Sequence, residues 1–214
     1  MDTPAISQAY NTWATQYDTN QNKTRDLEAT SLRNALHNQQ FGRGLEIGCG
    51  TGKNTLFLAS ICHQVVAVDF SEAMLAKARE KVEPTFGNVQ WVQADITRDW
   101  NFASSTFDLI TFSLVLEHIE HLEPIFEKAS RVAARGCWLY VGELHPFKQY
   151  MGSKARFETG QGTQIVTCYT HHLSAFTQAA AKQGFVIHQV QEYFDEGGLN
   201  NIPRLLTLVF RNLE

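Results

Sequence analysis

Three glycines within five residues, set between an apolar strand and a helix, constrain this chain more than any other feature. Residues 45–55 read LEIGCGTGKNT. Gly44 to Gly48 (GLEIG) is a short apolar run, Asn54 to Ile61 has helical spacing, and Gly48, Gly50 and Gly52 turn one into the other. Glycine leaves the backbone bare and admits dihedrals closed to other residues, so the turn suits close approach of a ligand. The same rhythm repeats downstream. Val65 to Asp69 (VVAVD) reads as a second buried strand, followed by a helix from Glu72 to Val82 that stops before Pro84. Val89 to Asp95 and Phe107 to Phe112 read as strands three and four. A helix burying Leu122, Ile125, Phe126, Ala129 and Val132 comes next, with Gly136 as its expected stop and Trp138 to Gly142 as strand five. Ser174 to Gln183 reads as a helix closed by Gly184. Phe185 to Val190 and Leu205 to Phe210 follow as two last strands with no helical pattern between them, which predicts an antiparallel pair.

Strands alternating with helices imply βαβ units and a parallel sheet covered on both faces. The expected fold is α/β: a doubly wound, Rossmann-like sheet of seven strands, mostly parallel with an antiparallel edge hairpin, and helices on both faces. Upstream, Thr3 is the expected N-cap and Pro4 the first turn of a helix with Ile6, Tyr10, Trp13 and Tyr17 on one face. A second helix is expected from Arg25 to His37. The 214 residues suit one domain, 1–214, with residues 1–40 as an N-terminal helical cap and 144–172 as a lid-like insertion after strand five. Within that insertion QIVTCYT is expected to form a short strand.

Composition bounds the partners. A formal net charge of −4 gives no basic field for a general grip on nucleic acid. No apolar run approaches a bilayer span, and MDTPAISQ is too polar for a secretory signal. Cys49, Cys62, Cys137 and Cys168 are scattered, which reads as reduced thiols. A cytoplasmic protein is expected, monomer or homodimer, without nucleic-acid or membrane partners.

The glycine turn admits three nucleotide-binding readings. A P-loop fails at both ends, with Ile47 at the first glycine and Asn54 at the magnesium-binding hydroxyl. A dinucleotide fingerprint is weakened by Lys53 at the place of its third glycine. The third fits without repair: acidic-x-Gly-x-Gly-x-Gly after strand one resembles the signature loop of class I S-adenosylmethionine-dependent methyltransferases. Asp69 ends strand two in VVAVDFSEAML, and Asp95 ends strand three in VQADI. FDLITFSLVLEHIEHL resembles the family's fourth-strand motif and RVAARGCWLYVGELHP its fifth-strand region. The likeness covers nearly the whole chain at four ordered places and is nearest the small-molecule, type 11-like branch.

The resemblance implies S-adenosylmethionine as cofactor and S-adenosylhomocysteine as product. It implies Asp69 on the ribose hydroxyls with Phe70 beside it, and Asp95 and Ile96 at the adenine. Glu46, Gly48, Cys49, Gly50, Gly52 and Ser113 would surround the rest of the cofactor. Asp69 and Asp95 also fit simple turn caps. In related enzymes a Tyr-rich N-terminal helix folds over the cofactor, which makes Tyr10 and Tyr17 expected cofactor contacts and Trp13 a substrate contact. Aromatic faces suit a sulfonium and exclude water. Arg25 is expected to meet a carboxylate of cofactor or substrate, or to be an ordinary helix residue.

The transfer needs a nucleophile aligned behind an activated methyl and, for some acceptors, a group to take a proton. An imidazole titrating near about 6.5 suits that task. His118 after strand four and His145 after strand five are the first choices, with Tyr17 as a third catalytic candidate. Glu117-His118 resembles part of the Glu-x-x-Glu-His of metal-dependent members, but Leu114 stands at the first Glu, so no metal is expected. The insertion is rich in Phe147, Lys148, Tyr150, Lys154, Arg156 and Phe157, with Glu158 its one acid. It reads either as a lid with cations for an acceptor carboxylate or phosphate, or as a plain basic loop. Trp13, Glu117, Tyr150, Lys154, Arg156 and His172 are the substrate candidates.

The expected function is direct in-line methyl transfer to N, O or S of a small-molecule acceptor. Enzymes acting on exocyclic base amines usually carry Asn/Asp-Pro-Pro-Tyr/Phe where this chain has Ser113-Leu-Val-Leu116. A non-catalytic S-adenosylmethionine-binding partner or regulatory subunit, a methyltransferase acting on protein, and a nicotinamide oxidoreductase stand as alternatives.

Overall fold

The computed structural model describes residues 10–14, 16–19, 22–159, 162–195 and 201–213, and of residues 156–159 and 162–165 the backbone alone. Its strands are β1 (Phe41–Ile47), β2 (Cys62–Asp69), β3 (Val89–Gln93), β4 (Phe107–Ser113), β5 (Ala133–Leu144), β6 (Arg156–Thr159), β7 (Gly162–Ile165), β8 (Phe185–Tyr193) and β9 (Leu205–Asn212). The helices are α1 (Lys23–Ala35), α2 (Thr55–Ile61), α3 (Glu72–Val82), α4 (Glu123–Val132), α5 (Pro146–Tyr150) and α6 (Leu173–Ala181).

Seven strands form one sheet in the order β3-β2-β1-β4-β5-β9-β8. β1 to β5 are parallel, with Ile47 opposite both Val68 and Phe112. β9 runs antiparallel between β5 and β8. Strands buried on both faces read as continuous apolar runs, which is why GLEIG and VVAVD were legible. One face packs Ile110 and Phe112 against Phe126 of α4 and Phe176 of α6. The other packs Ala67, Leu109 and Tyr140 against Leu32 of α1, Leu58 of α2 and Leu75 of α3. Each such large apolar side chain contributes about 1.5–3 kcal/mol by leaving water. After β3 the chain crosses to the far side of β1, so β1 and β4 flank the switch point, outside whose carboxyl ends such sheets bind ligands.

Several expectations need correction. α4 ends at Val132, and Gly136 lies inside β5 at φ 78, beside a register slip between Phe107 and Leu109 of β4. A glycine after an apolar helix looks like a stop, but here it relieves an irregular strand. β3 ends at Gln93, so Asp95 lies in the following turn. α1 begins at Lys23 because the Asn22 side chain caps it, accepting from the N–H groups of Thr24 and Arg25. Residues 10–13 are helical, but Tyr17 lies in the next turn, not on that helix; Thr3, Pro4 and Ile6 lie outside the described residues. Of QIVTCYT only Gln164 and Ile165 belong to a strand, β7, which pairs with β6 as a separate hairpin. Among the described residues no helix is long and apolar enough to cross a membrane.

Candidate active site

A cleft of about 740 Å3 opens at the carboxyl end of the parallel strands. The glycine turn forms its floor. The N–H groups of Gly48 and Cys49 both donate to Val68 O, at 2.8 and 3.0 Å, folding the loop over the end of β2. Gly48 has φ 75, and a Cβ there would lie 2.9 Å from the Val115 side chain. Gly50 has φ 53, yet a Cβ there would meet no protein atom within 4 Å. The space beside it belongs to the cleft, a cradle that only a bare backbone leaves open.

Two carboxylates face this floor. Asp69, at the end of β2, accepts Gly50 N–H on Oδ2 and Ser71 N–H on Oδ1, both at 2.9 Å. Burial pushes it up to about 6, against the pull of those N–H groups. Glu46 accepts the Thr55 hydroxyl at 2.6 Å. Burial, reinforced by Glu28 and Asp69 nearby, pushes it up to about 8. A carboxylate accepts about four hydrogen bonds, so both retain capacity for a ligand. Phe70, Ile96 and Asp95 line one wall. Asp95 Oδ1 also accepts from the N–H and hydroxyl of Thr97, so it is a turn cap as well as a cleft residue.

The N-terminal segment closes the cleft from above. Ser71 Oγ donates to Asn11 Oδ1 at 2.6 Å, and Thr51 Oγ1 and Lys81 Nζ donate to the Asp18 carboxylate, each at 2.7 Å. These bonds place Tyr10 and Tyr17 over the glycine turn, where both line the cleft. The Tyr10 hydroxyl lies 2.7 Å from His118 Nε2, and His118 Nδ1 lies 2.8 Å from Thr167 O. A carbonyl only accepts, so Nδ1 carries the proton and, in the neutral ring, Nε2 accepts from Tyr10. Burial raises both phenols, Tyr17 to about 12, which makes them hydrogen-bond donors. Arg25 Nη1 donates to Tyr17 O, with its guanidinium 3.9 Å from the centre of the Tyr17 ring.

Two further spaces adjoin the cleft. A recess of about 470 Å3 lies at the Glu46 end and is lined by Tyr17, Arg25, Glu46, Cys49, Gly50 and Ser113. A groove of about 1360 Å3 lies beyond Tyr10, Tyr17 and Leu114, which line cleft and groove alike. Trp13, Lys23, Arg25, Glu117, Lys154 and Arg204 line the groove. Glu117 is 7% exposed and pushed above the usual carboxylate range by burial, and its Oε2 accepts no hydrogen bond.

Leu114, at φ 54, was not foreseen as a site residue, nor was the part that Glu143 plays in the turn. Glu143 Oε1 accepts from the N–H groups of Val115 and Leu116, at 3.0 and 2.8 Å, and so fixes the turn that carries Glu117 and His118. Its place at a strand end, like that of Glu46 and Asp69, was the available signal. Arg204 enters the groove from a distant loop and carried no signal.

Other candidates lie elsewhere. His145 does not line the cleft: Nε2 is 2.9 Å from Glu192 Oε1, and Nδ1 accepts Phe147 N–H to cap α5. Tyr150 and His172 bond each other at 2.6 Å on the exposed surface. Gly52 packs on Ala78 and Val82 instead of facing the cleft. Lys53 pairs with Asp26 at the surface, and the side chain of Arg156 lies outside the described residues. Glu117, His118 and Cys168 bring ligand-type atoms within 4.8 Å of one another. Both nitrogens of His118 have hydrogen-bond partners, and burial holds the Cys168 thiol up at about 12.

Comparison with known proteins gives a consistent answer. Residues 45–141 match the family model of a methyltransferase domain. A phosphatidylethanolamine N-methyltransferase of Cereibacter sphaeroides is 34% identical over 171 residues, covering 76% of this chain and 81% of that protein. The N-methyltransferase NodS of Bradyrhizobium japonicum WM9, in complex with S-adenosyl-L-homocysteine, superposes with a TM-score of 0.74 at 19% identity, covering 98% of this chain and 99% of that one. A DhpI–SAH complex gives 0.76 at 21% identity, covering 98% and 96%.

Proposed function

Since this chain belongs to the class I S-adenosylmethionine-dependent methyltransferases, we propose that it transfers a methyl group to a heteroatom of a small molecule held in the groove. It is an enzyme, and its methyl donor is S-adenosylmethionine. The observation that carries the reading is the junction of cleft and groove at Tyr10, Tyr17 and Leu114, where a donor on one side faces an acceptor on the other.

The residues of the cleft fit the donor. Gly50 leaves room beside its backbone, and the buried carboxylates Glu46 and Asp69 gain from a cationic or hydroxyl-rich ligand. Asp69 takes the ribose hydroxyls, with Phe70 and Ile96 against the adenine and Asp95 at its edge. Glu46 and Arg25 hold the amino and carboxylate groups of the methionine tail. When bound, the donor supplies a methyl group already activated by its sulfonium. The chain itself aligns the acceptor and excludes water. Tyr10 and Tyr17 present aromatic faces at the junction. His118, fixed on Thr167 O, positions the acceptor beside Tyr10, and its Nε2 is the nitrogen to receive a proton from a hydroxyl or thiol acceptor.

Nitrogen is favoured as the methylated atom by the N-methyltransferases among the relatives. The test is methyl-labelled S-adenosylmethionine incubated with the enzyme and a cell extract, then separated into small-molecule, RNA and protein fractions. Enzyme-dependent label is expected among small molecules, and label only in RNA or protein would overturn the acceptor class. His118→Ala should lower turnover by about tenfold or more while leaving S-adenosylhomocysteine affinity within about twofold. Equal loss of both would remove the positioning role.

A further inference from the structure

We infer that the groove is built for a zwitterionic acceptor, whose ammonium sits against Glu117 and the Tyr10 ring and whose phosphate or carboxylate meets Lys23 and Lys154. The inference rests on the proposed function and names the acceptor class of that site.

Among the described residues Glu117 is the one carboxylate lining the groove. It is 7% exposed, and its Oε2 is buried without a hydrogen bond, a costly state that a cationic donor relieves. Tyr10, Trp13 and Tyr17 line the same groove; the Arg25 guanidinium lies 5.8 Å and 3.9 Å from the Trp13 and Tyr17 ring centres, which leaves Tyr10 as the ring for an ammonium. Aromatic faces beside a carboxylate form an ammonium site, because the ring quadrupole attracts a cation while the carboxylate neutralises it. The groove also carries Lys23, Lys154, Arg25 and Arg204. Arg204 is neutralised by Asp195, but Lys23 and Lys154 are exposed. One carboxylate deep in the wall with lysines at the mouth is the charge pattern of an amine that also bears an anion.

Tyr10 lines both groove and cleft, which brings the ammonium to the junction. The ammonium there gives one proton to Glu117 Oε2, freeing the nitrogen lone pair. The N–C bond to the methyl forms as its C–S bond breaks, and that electron pair stays on sulfur. The product is a secondary ammonium and a thioether, with the proton on Glu117. Burial raises the Glu117 carboxyl above its ordinary value, which suits it to receive that proton.

The test is calorimetric and requires no turnover. Enzyme saturated with S-adenosylhomocysteine is titrated with O-phosphoethanolamine, ethanolamine and glycerol 1-phosphate. O-phosphoethanolamine should bind most tightly of the three. Glu117→Gln should weaken it by about tenfold or more, one charge-assisted contact, and leave glycerol 1-phosphate within about twofold. Lys154→Ala should weaken both phosphates and spare ethanolamine. The inference is overturned if glycerol 1-phosphate binds as tightly as O-phosphoethanolamine, if Glu117→Gln binds all three unchanged, or if none binds. S-adenosylhomocysteine affinity, read separately, tells this failure from failure of the donor site: loss of homocysteine-product binding strikes the proposed function, and retention with no acceptor binding strikes this inference alone.

Discussion

Asp69 shows how much one carboxylate carries. It holds the turn through Gly50 and Ser71 while keeping lone pairs toward the cleft. Asp69→Ala should weaken S-adenosylmethionine binding by about a hundredfold, two charged hydrogen bonds, with the far-ultraviolet circular dichroism retained. Unchanged affinity by calorimetry would remove the ribose assignment. Glu46 makes a prediction with a sign. Its folded value of about 8 lies above the ordinary 4.5, so the ligand-free folded state holds a proton that the unfolded chain has lost. Its contribution to stability is full below 4.5 and declines as pH rises toward 8, by at most about 1.4 kcal/mol per unit. Glu46→Gln should flatten that decline in urea titrations between pH 5 and pH 8. A ligand ammonium at Glu46 favours its charged form, so donor binding near neutrality should release a proton, measurable by calorimetry in buffers of different ionisation heat. Absence of release would move the methionine amine elsewhere.

At the scale of the element, the strand–turn–helix unit separates stability from binding within three residues. A Cβ at Gly48 strikes Val115, whereas one at Gly50 enters open cleft, and both positions have positive φ. Gly48→Ala should cost about 2 kcal/mol or more, from left-handed strain plus the clash. Gly50→Ala should cost about half as much in stability and lose more donor affinity. Thermal melts beside S-adenosylhomocysteine titrations would check the ordering, and a reversed order would place the ligand against Gly48. The parallel strands were legible because their apolar runs are uninterrupted, and the strand-end acids because chemistry sits where those runs stop. The short hairpin β6–β7 was misplaced because its residues are mostly polar and show no apolar run or strict alternation in the sequence. The surroundings of His145 were illegible for a related reason: a histidine at a strand end serves a base and a helix cap equally well, and its contacts to Glu192 and Phe147 come from the fold.

For the molecule as a whole, the cleft proposed for the donor is assembled from the glycine turn, the ends of the central strands and an N-terminal segment bonded back through Asn11, Asp18 and Tyr10. A ligand enclosed this way stabilises the entire fold by mass action. S-adenosylhomocysteine at a hundred times its dissociation constant should add about 2.7 kcal/mol, read as a shift in the urea midpoint. Asp69→Ala should lose most of that shift at the same concentration. That the N-terminal rings close the cleft was legible only through resemblance, since helical spacing alone says which residues share a face and nothing about what the face covers. The groove was less legible still, because Leu114, Lys23, Lys154 and Arg204 come from four distant stretches.

The place of β9 also governs how the chain comes to be folded at all. It is the last of the strands in chain order, yet it lies inside the sheet between β5 and β8. The β1–β5 half, with the cleft, can pair as synthesis proceeds, because each of its strands after β1 finds an earlier partner. β8 pairs with β9 alone. Until Leu205–Asn212 emerges, β5 keeps an unpaired edge and β8 has no partner, a pair of open templates for another chain. A ribosome stalled just before Leu205 would therefore display an almost complete donor site on a chain poised to aggregate.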